Sequence, residues 1–368
     1  MKILFLSNSI GGLRNFRYEL IEYLRDRGDD VYIGSNIEES PQPFEMLGCK
    51  IYETPMELRG TSIISDAKLI YSYIKLIKNV CPNVVLTYTI KPNTYGGLIC
   101  RIMKCPQIAS ITGLGTAFEV GGIITFIAKY LYKLGLNNCS RVFFQNKESL
   151  SVFDKYKIAK KCDRSIIAGS GVNLDKFKFC AYPIDRQKID FIFVGKTRKE
   201  KGFDHYLDAA KVLKPKYPFC NFHIVGACEE HYKSIIKSLV EDNIIVNHGY
   251  QNNVIPFIEE CNCNILPSYH EGMSNSLQES SAIGRPAIAT DISGCREIVV
   301  DNHTGFLVKP RSSQNLIDKI EQFINLPYED KVAMGLNARS WVEQHFNRKY
   351  VVYKYVEAID LVKNQTRR

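Results

Sequence analysis

A short apolar run followed by a turn and an amphipathic helix recurs along this chain, and this alternation limits the fold more than any other feature. The first strand, Lys2 to Ser7, contains the continuous apolar run Ile3 to Leu6. Such runs are typical of parallel sheets whose two faces are both covered by helices. The pattern predicts an α/β fold with a doubly wound parallel sheet. Helices are expected to start near Arg14, Ile63, Thr94, Ile123 and Lys147.

The alternation stops after Val172 and restarts at Asp190 to Gly195, which indicates a linker between two similar domains. A chain of 368 residues also exceeds the size at which one core usually stops growing. We therefore expect Rossmann-like domains over 1–172 and 173–348, with parallel sheets facing across a cleft that holds the active site. Periodicity leaves open whether a last helix, 349–366, packs on the second domain or back on the first.

Charge and cysteine content restrict the class of partner and the compartment. The formal net charge of +9 favours an anionic partner without choosing between nucleotide phosphates, lipid diphosphates, membrane surfaces and nucleic acid. The twelve cysteines include no CxxC pair, so no metal site is expected and free thiols in a reducing cytosol are predicted. No signal-peptide pattern precedes the first strand, and the longest apolar region, Val120 to Leu136, is too short to cross a bilayer.

The stretch from Leu266 to Glu279 leaves a strand, turns through Gly272 and enters a helix near Asn275. A helix start offers unpaired backbone N–H groups and a partial positive charge, so this turn is suited to sugar hydroxyls or a phosphate oxygen. Glu271 and Glu279 bracket the turn, and carboxylates accept well from vicinal hydroxyls. The alternative is that Ser274 or Asn275 only caps the helix and both glutamates are solvated.

With this motif the sequence resembles the retaining glycosyltransferases of family 4, the glycogen-synthase-like group, which have the GT-B fold. The resemblance covers nearly the whole chain and extends to the bacterial enzymes that assemble O-antigen or capsular repeat units. The matching segments are the Glu-x7-Glu frame of Glu271 and Glu279, Ala282 to Thr290, Gly294 to Val299, Thr304 to Val308, Gly169 to Phe177, Gly11-Gly12, Thr87 to Gly96 and Ile111 to Phe118.

The resemblance implies roles for the charged residues. Glu271 would contact hydroxyls of the donor sugar, Glu279 would hold the ribose, and Lys201 would neutralise the diphosphate as it leaves. The family usually has an arginine where this chain has Lys196, so the second phosphate-binding cation is either Lys196 or Arg198. The alternative for this basic cluster is a solvated turn without a role in binding.

Three groups of candidate site residues follow. The catalytic candidates are Glu271, Lys201 and Lys196. The other donor-binding candidates are Gly12, Arg198, Gly272, Met273, Ser274, Asn275 and Glu279. The acceptor candidates in the first domain are Asn8, Lys91, Asn93 and Thr112, of which Thr112 stands near the point where many family members have a histidine.

The expected function is retaining transfer of a hexose or N-acetylhexosamine from a nucleotide diphosphate sugar to a lipid-diphosphate-linked saccharide in surface polysaccharide synthesis. The expected nucleotide is UDP. The protein would work in the cytoplasm on the inner face of the plasma membrane, with no metal and no other cofactor. Two alternatives remain: a sugar-nucleotide epimerase of the same architecture, and a nucleic-acid-binding protein, for which no basic stripe with interleaved aromatic residues is found. Donor sugar, nucleotide base, acceptor sugar, linkage and oligomeric state stay open.

Overall fold

A computed structural model describes residues 1–56, 62–113, 118 and 122–366. The chain divides into two compact units, the first formed by residues 1–170 with the segment from Lys349 onward, and the second by Gly171–Arg348. Each unit contains one sheet, of seven strands in the first and six in the second. Every strand pairing described is parallel, so the prediction of two doubly wound α/β units is confirmed.

The sheet of the first unit has the strand order β3-β2-β1-β4-β5-β6-β7. Its strands are β1 Lys2–Leu6, β2 Asp30–Ser35, β3 Lys50–Glu53, β4 Val84–Tyr88, β5 Gln107–Ile111, β6 Arg141–Phe144 and β7 Asp163–Ile166. The helices are α1 Ile10–Asp26, α2 Gln42–Met46, α3 Ile63–Val80, α4 Gly97–Ile102, α5 Gly122–Leu136 and α6 Lys147–Lys155.

Helix α1 begins four residues earlier than the sequence predicts, at Ile10 instead of near Arg14. Ser9 has extended backbone angles and its Oγ accepts from the Gly12 N–H at 2.9 Å, which caps the helix. Gly11 and Gly12 therefore form the first helical turn and not a loop before it. The sequence prediction was wrong here because paired glycines disfavour a helix interior, whereas a capped first turn tolerates them.

The helix expected from Thr94 is also different, because a π-helical turn, Pro92–Gly96, precedes α4. Backbones approach closely there: a Cβ on Gly97 would lie 2.2 Å from the carbonyl oxygen of Gly135 in α5. Helix α5 can pack this tightly only against a residue without a side chain. The π-helical turn lies in the same close contact, since a Cβ on Gly135 would lie 2.5 Å from the carbonyl oxygen of Thr94.

The sheet of the second unit has the order β10-β9-β8-β11-β12-β13. Its strands are β8 Ile189–Val194, β9 Cys220–Val225, β10 Val246–Asn247, β11 Cys263–Leu266, β12 Ala287–Thr290 and β13 Gly305–Val308. Its helices are α7 Phe203–Lys216, α8 Lys233–Glu241, α9 Ile255–Glu260, α10 Asn275–Ile283, α11 Ser313–Ile324 and α12 Tyr328–His345. The short strands β3 and β13, both at sheet edges, were not among the predicted strands.

The last helix, α13 Arg348–Thr366, packs on the first unit. Val351, Tyr355 and Ile359 belong to the same buried cluster as Phe5 of the central strand β1. The Tyr355 hydroxyl also lies 2.6 Å from Ser110 Oγ on β5. Among the described residues, no helix has the length and apolar character needed to cross a bilayer.

Candidate functional site

Two loops meet at the carboxyl ends of the central strands of the second unit. One follows β8 and forms a 3-10 turn at Lys199–Lys201 before α7, and the other follows β11 and leads into α10. Because β8 and β11 pair directly in the sheet, their loops are neighbours. The Tyr269 N–H donates to the carbonyl of Glu200 at 2.8 Å, which joins the two loops.

Gly202 allows the closest approach between these loops. Its φ is +65°, and a Cβ built on it would lie only 1.8 Å from the carbonyl oxygen of Pro267. Any side chain would therefore clash, and the left-handed backbone itself disfavours other residues. Gly202 therefore sets the distance between the two loops. One loop carries the cations that precede Gly202, and the other carries the residues that follow Pro267.

Lys201 and Glu271, which are 70 residues apart in the sequence, form an ion pair between the loops. Lys201 Nζ donates to Glu271 Oε1 at 2.6 Å, and the Ser268 hydroxyl donates to the same oxygen at 2.8 Å. The Glu271 side chain is 9% exposed and that of Lys201 is 33% exposed, so the carboxylate is nearly enclosed while the ammonium reaches solvent. A cation able to meet a diphosphate thus lies beside a carboxylate able to accept from sugar hydroxyls.

A third loop, between β12 and β13, supports the turn after Glu271. Gly294 has φ +89°, and a Cβ there would lie 2.8 Å from the Glu271 carbonyl oxygen. Its carbonyl accepts from the Ser274 N–H at 3.0 Å. The carboxylate of Glu297 holds Gly294 in place by accepting from the Gly294 N–H at 2.6 Å and from the Ser293 hydroxyl at 3.0 Å. Glu297 therefore supports the turn through Gly294.

The turn ends in the N-terminus of α10, where the sequence predicted a binding site. Ser274 is the N-cap, and its Oγ accepts from the Leu277 N–H at 3.4 Å. The capping alternative is thus correct for Ser274, whose hydroxyl serves the helix. Met273 is buried, Gly272 is partly buried, and Asn275 Oδ1 is a buried oxygen without a hydrogen-bond partner among the described residues.

Glu279 lies one turn further along α10 and is partly buried. Burial raises the pKa of its carboxyl group to about 7, against the opposing effect of the positive charges of Arg348 and Lys176. Loss of solvation disfavours the carboxylate more than these cations favour it. Glu279 therefore changes its charge close to neutral pH.

We expect Glu279→Gln to stabilise the protein at pH 8 by about 2 kcal/mol and to have little effect at pH 4.5. The native state holds the Glu279 proton more tightly than the unfolded chain, so the cost of ionisation is absent below about pH 4.5, grows with pH, and is complete above about pH 7. Urea unfolding at both pH values measures this. Glu241→Gln, at an exposed position on α8, is the matched control. An equal effect of Glu279→Gln at both pH values would contradict the assignment.

The two candidates for a second cation have different surroundings. Arg198 Nε lies 2.8 Å from the Glu229 carboxylate, and the Arg198 side chain is about one-third exposed. Lys196 is exposed at the start of the same loop, beside the buried Thr197. Arg198 is thus already paired within the unit, whereas Lys196 faces solvent.

The glycine pair and Asn8 lie in the turn after β1 and at the start of α1. Gly12 lies in the first turn of α1, where the Glu38 carboxylate accepts from the Ile10 and Gly11 N–H groups at 3.2 Å each. Asn8 is partly buried in the turn after β1. A negative group of the chain itself therefore lies at this helix N-terminus.

The remaining acceptor candidates lie at the carboxyl ends of β4 and β5. Asn93 is fully buried, accepts from the Thr87 hydroxyl at 2.7 Å and donates to the Ser110 carbonyl at 2.8 Å, so its amide is used within the fold. Lys91 pairs with Asp66 at 2.8 Å. Thr112 is partly buried directly after β5, and residues 114–117 of the motif that follows lie outside the described residues.

Sequence reasoning missed four residues that shape these sites. Ser268 and Glu297 lie inside motifs that the sequence singled out, so their position was a usable signal. Glu38 and Asp66 had no such signal, because their contacts join segments far apart in the chain. In the described ranges, no group of three or more histidine, cysteine, aspartate or glutamate residues is arranged to hold a metal ion.

The chain is similar to known glycosyltransferases over nearly its whole length. Residues 2–146 match the glycosyl transferase 4-like family and residues 175–341 match the glycosyl transferases group 1 family. The chain is 25% identical to N,N'-diacetylbacillosaminyl-diphospho-undecaprenol alpha-1,3-N-acetylgalactosaminyltransferase of Campylobacter jejuni, covering 98% of this chain and 99% of that protein. It is also 25% identical to UDP-Gal:alpha-D-GlcNAc-diphosphoundecaprenol alpha-1,3-galactosyltransferase of Escherichia coli, covering 86% of this chain and 85% of that protein.

Solved structures agree on the fold. HepE of Anabaena, in complex with UDP and glucose, superposes with a TM-score of 0.80 at 18% identity, covering 98% of this chain and 99% of that one. Sucrose-phosphate synthase of Thermosynechococcus elongatus superposes with a TM-score of 0.80 at 17% identity, covering 99% of this chain and 100% of that one. The two family matches and these superpositions identify the chain as a member of the GT-B glycosyltransferases, with a 4-like first part and a group 1 second part.

Proposed function

We propose that this glycosyltransferase moves a hexose or N-acetylhexosamine from a nucleotide diphosphate sugar to a lipid-diphosphate-linked saccharide, with retention at the anomeric carbon. The proposed donor is a UDP-sugar. The observation that carries the proposal is the Lys201–Glu271 pair beside the N-terminus of α10. It combines a cation for the diphosphate with a carboxylate for the sugar. The acceptor class is supported by the relatives whose names specify undecaprenol-diphosphate-linked saccharides, and the site of action by the membrane that holds such lipids.

In this mechanism the bond between the anomeric carbon and the diphosphate oxygen breaks, and its electron pair stays on the diphosphate. Lys201 stabilises that negative charge, with Lys196 or Arg198 as the second cation. An acceptor hydroxyl attacks from the face that the diphosphate leaves, and its proton passes to the departing phosphate oxygen. Glu271 orients the sugar by accepting from its hydroxyls, and Glu279 accepts from the ribose. Retention follows because attack and departure share one face.

The proposal is tested by nucleotide diphosphate release from UDP-, GDP- and dTDP-sugars, with and without a polyprenyl-diphosphate saccharide. We expect release that depends on the acceptor and is lost in Glu279→Ala, and an NMR spectrum of the product that retains the donor's anomeric configuration. Inversion would contradict the stereochemical part. Interconversion of UDP-sugars without any transfer would favour an epimerase instead.

We also propose that transfer requires no metal ion, since side-chain cations are available for the diphosphate. The expected result is an unchanged transfer rate after dialysis against EDTA, and an unchanged rate when magnesium or manganese is added back. Metal-dependent enzymes of phosphate chemistry would lose most of their activity under this treatment. Activity that disappears with EDTA and returns with one of these ions would contradict the prediction.

A further inference from the structure

One helical layer of the first unit carries most of the net charge of the chain. This layer consists of α3, α4 and α5, which lie within residues 62–104 and 122–138. These two ranges, which also include strand β4 and the connecting turns, contain eight lysine and arginine residues and one acidic residue, Asp66. Their net charge of +7 compares with +9 for the whole chain. Asp66 is itself paired with Lys91. The remaining residues of the chain sum to a net charge of +2.

The helices α3 and α5 both pack against the π-helical turn and α4, so they belong to one layer. Their inward residues are buried, as with Tyr73 of α3 and Tyr132 of α5. The outward stripe of α3 is exposed and carries Lys68, Lys75 and Lys78. The outward stripe of α5 carries Lys133, α4 adds the exposed Arg101, and the turn after α4 adds the exposed Lys104.

The same outward stripes contain large apolar side chains. Ile63 of α3 is 85% exposed and Phe126 of α5 is 71% exposed. On α3 and α5 the set that is half or more exposed consists of Ile63, Ile64, Tyr71, Phe126, Ile127 and Tyr130, and α4 adds Ile102, which is 71% exposed. Solvent-exposed isoleucine and phenylalanine on two helices of one layer are costly in water and favour an interaction partner.

The exposed isoleucines at the start of α3 lie towards the carboxyl ends of the strands of the first unit. Helix α3 has 18 residues, about 27 Å, whereas β4 has five, about 17 Å. The last turn of α3 lies near the start of β1, because Lys2 Nζ donates to the Val80 carbonyl at 3.2 Å. The first turn, with Ile63 and Ile64, thus extends beyond the carboxyl ends of the strands, where open α/β sheets bind their ligands.

We infer that the outward faces of α3, α4 and α5, which we term the basic helical face, dock on an anionic phospholipid bilayer. The inference rests on the proposed function, because a lipid-linked acceptor has its diphosphate at such a surface. Isoleucine, phenylalanine and tyrosine enter the boundary between head groups and acyl chains, while the lysines meet lipid phosphates. Nucleic acid would satisfy the lysines but would leave Ile63, Ile64 and Phe126 in water, so the bilayer fits both sets of residues.

The full chain is tested by sedimentation with vesicles of phosphatidylcholine, with and without phosphatidylglycerol. We expect binding at least tenfold tighter to the anionic vesicles, weakened by salt. Lys75→Gln/Lys78→Gln is expected to weaken it about tenfold or more, since each lysine near the surface contributes about fivefold. Phe126→Ser/Ile127→Ser is expected to weaken binding to a similar degree. Lys233→Gln/Lys237→Gln, at exposed lysines of α8 in the second unit, is the matched control and should bind as the parent does.

Equal binding to both kinds of vesicle, or equal loss in the α8 control, would overturn the inference. Retention on duplex DNA without vesicle binding would overturn it in favour of nucleic acid. Transfer to a detergent-solubilised acceptor separates this inference from the proposed function. Vesicle binding without transfer contradicts only the function, and transfer without vesicle binding contradicts only the docking face.

Discussion

Replacement of Lys201 by alanine is expected to lower kcat for sugar transfer by about 10²–10³-fold, the usual effect of removing one group that stabilises charge in the transition state. The Lys201 ammonium lies 2.6 Å from Glu271 and reaches solvent, so it is placed to meet a diphosphate. Its removal also leaves the nearly buried Glu271 carboxylate with the Ser268 hydroxyl and without its cation. Steady-state rates of nucleotide diphosphate release measure the effect.

The matched control for this prediction is Lys199→Ala. Lys199 lies in the same 3-10 turn and has the same charge, but its side chain is exposed, whereas Lys201 is paired with Glu271. We expect a change in kcat of less than threefold in Lys199→Ala, since surface lysines away from a site contribute little. Equal losses in both variants would show that only the total charge of the turn matters, and would contradict the assigned role of Lys201. Thermal unfolding establishes that both variants are folded.

The second large effect is expected from Gly202→Ala, which should lower the free energy of unfolding by about 3 kcal/mol or more. The new Cβ would lie 1.8 Å from the Pro267 carbonyl oxygen, so the loops after β8 and β11 would have to separate. Because Lys201 and Glu271 lie on these two loops, a shift of about 1 Å is expected to reduce transfer by about 100-fold. Urea unfolding and transfer rates are both measured.

Gly249→Ala separates the two causes of this effect. Gly249 has nearly the same φ, +66°, but a Cβ on it would meet no atom within 4 Å. It therefore shows the cost of a left-handed alanine alone, about 1 kcal/mol, with full activity. If Gly202→Ala is no worse than Gly249→Ala, then the approach of Pro267 does not govern the site, and the account of how the loops are joined is wrong.

The residues of the second-unit site were predictable because each lies in a local pattern. A strand followed by a turn and a helix start is visible in the sequence around Glu271, and so is the basic turn around Lys201. Their direct contact was not predictable from either pattern. It depends on β8 and β11 being neighbours although β9 and β10 lie between them in the chain, and strand order is a property of the sheet as a whole.

In the first unit, residue type alone did not distinguish ligand-binding residues from structural ones. Asn93, in the segment Thr87 to Gly96, was a candidate for acceptor binding, yet it is fully buried and bonded to Thr87 and Ser110. A polar residue after a strand can serve the ligand or the turn itself, and only its surroundings decide between them. The basic helical face is similar: the lysines are visible in the sequence, but their common orientation requires the packed helices.

The sequence by itself determined the alternation of strands and helices, the two sheets and the motifs at their carboxyl ends, because apolar periodicity and turn residues act over a few neighbouring positions. Only the tertiary structure decided that α13 packs on the first unit, through Tyr355 and Ile359, and that Lys201 meets Glu271. These contacts join residues separated by long stretches of chain. Their formation depends on which surfaces remain to be buried once the local elements have formed. No local sequence pattern indicates which surfaces those are.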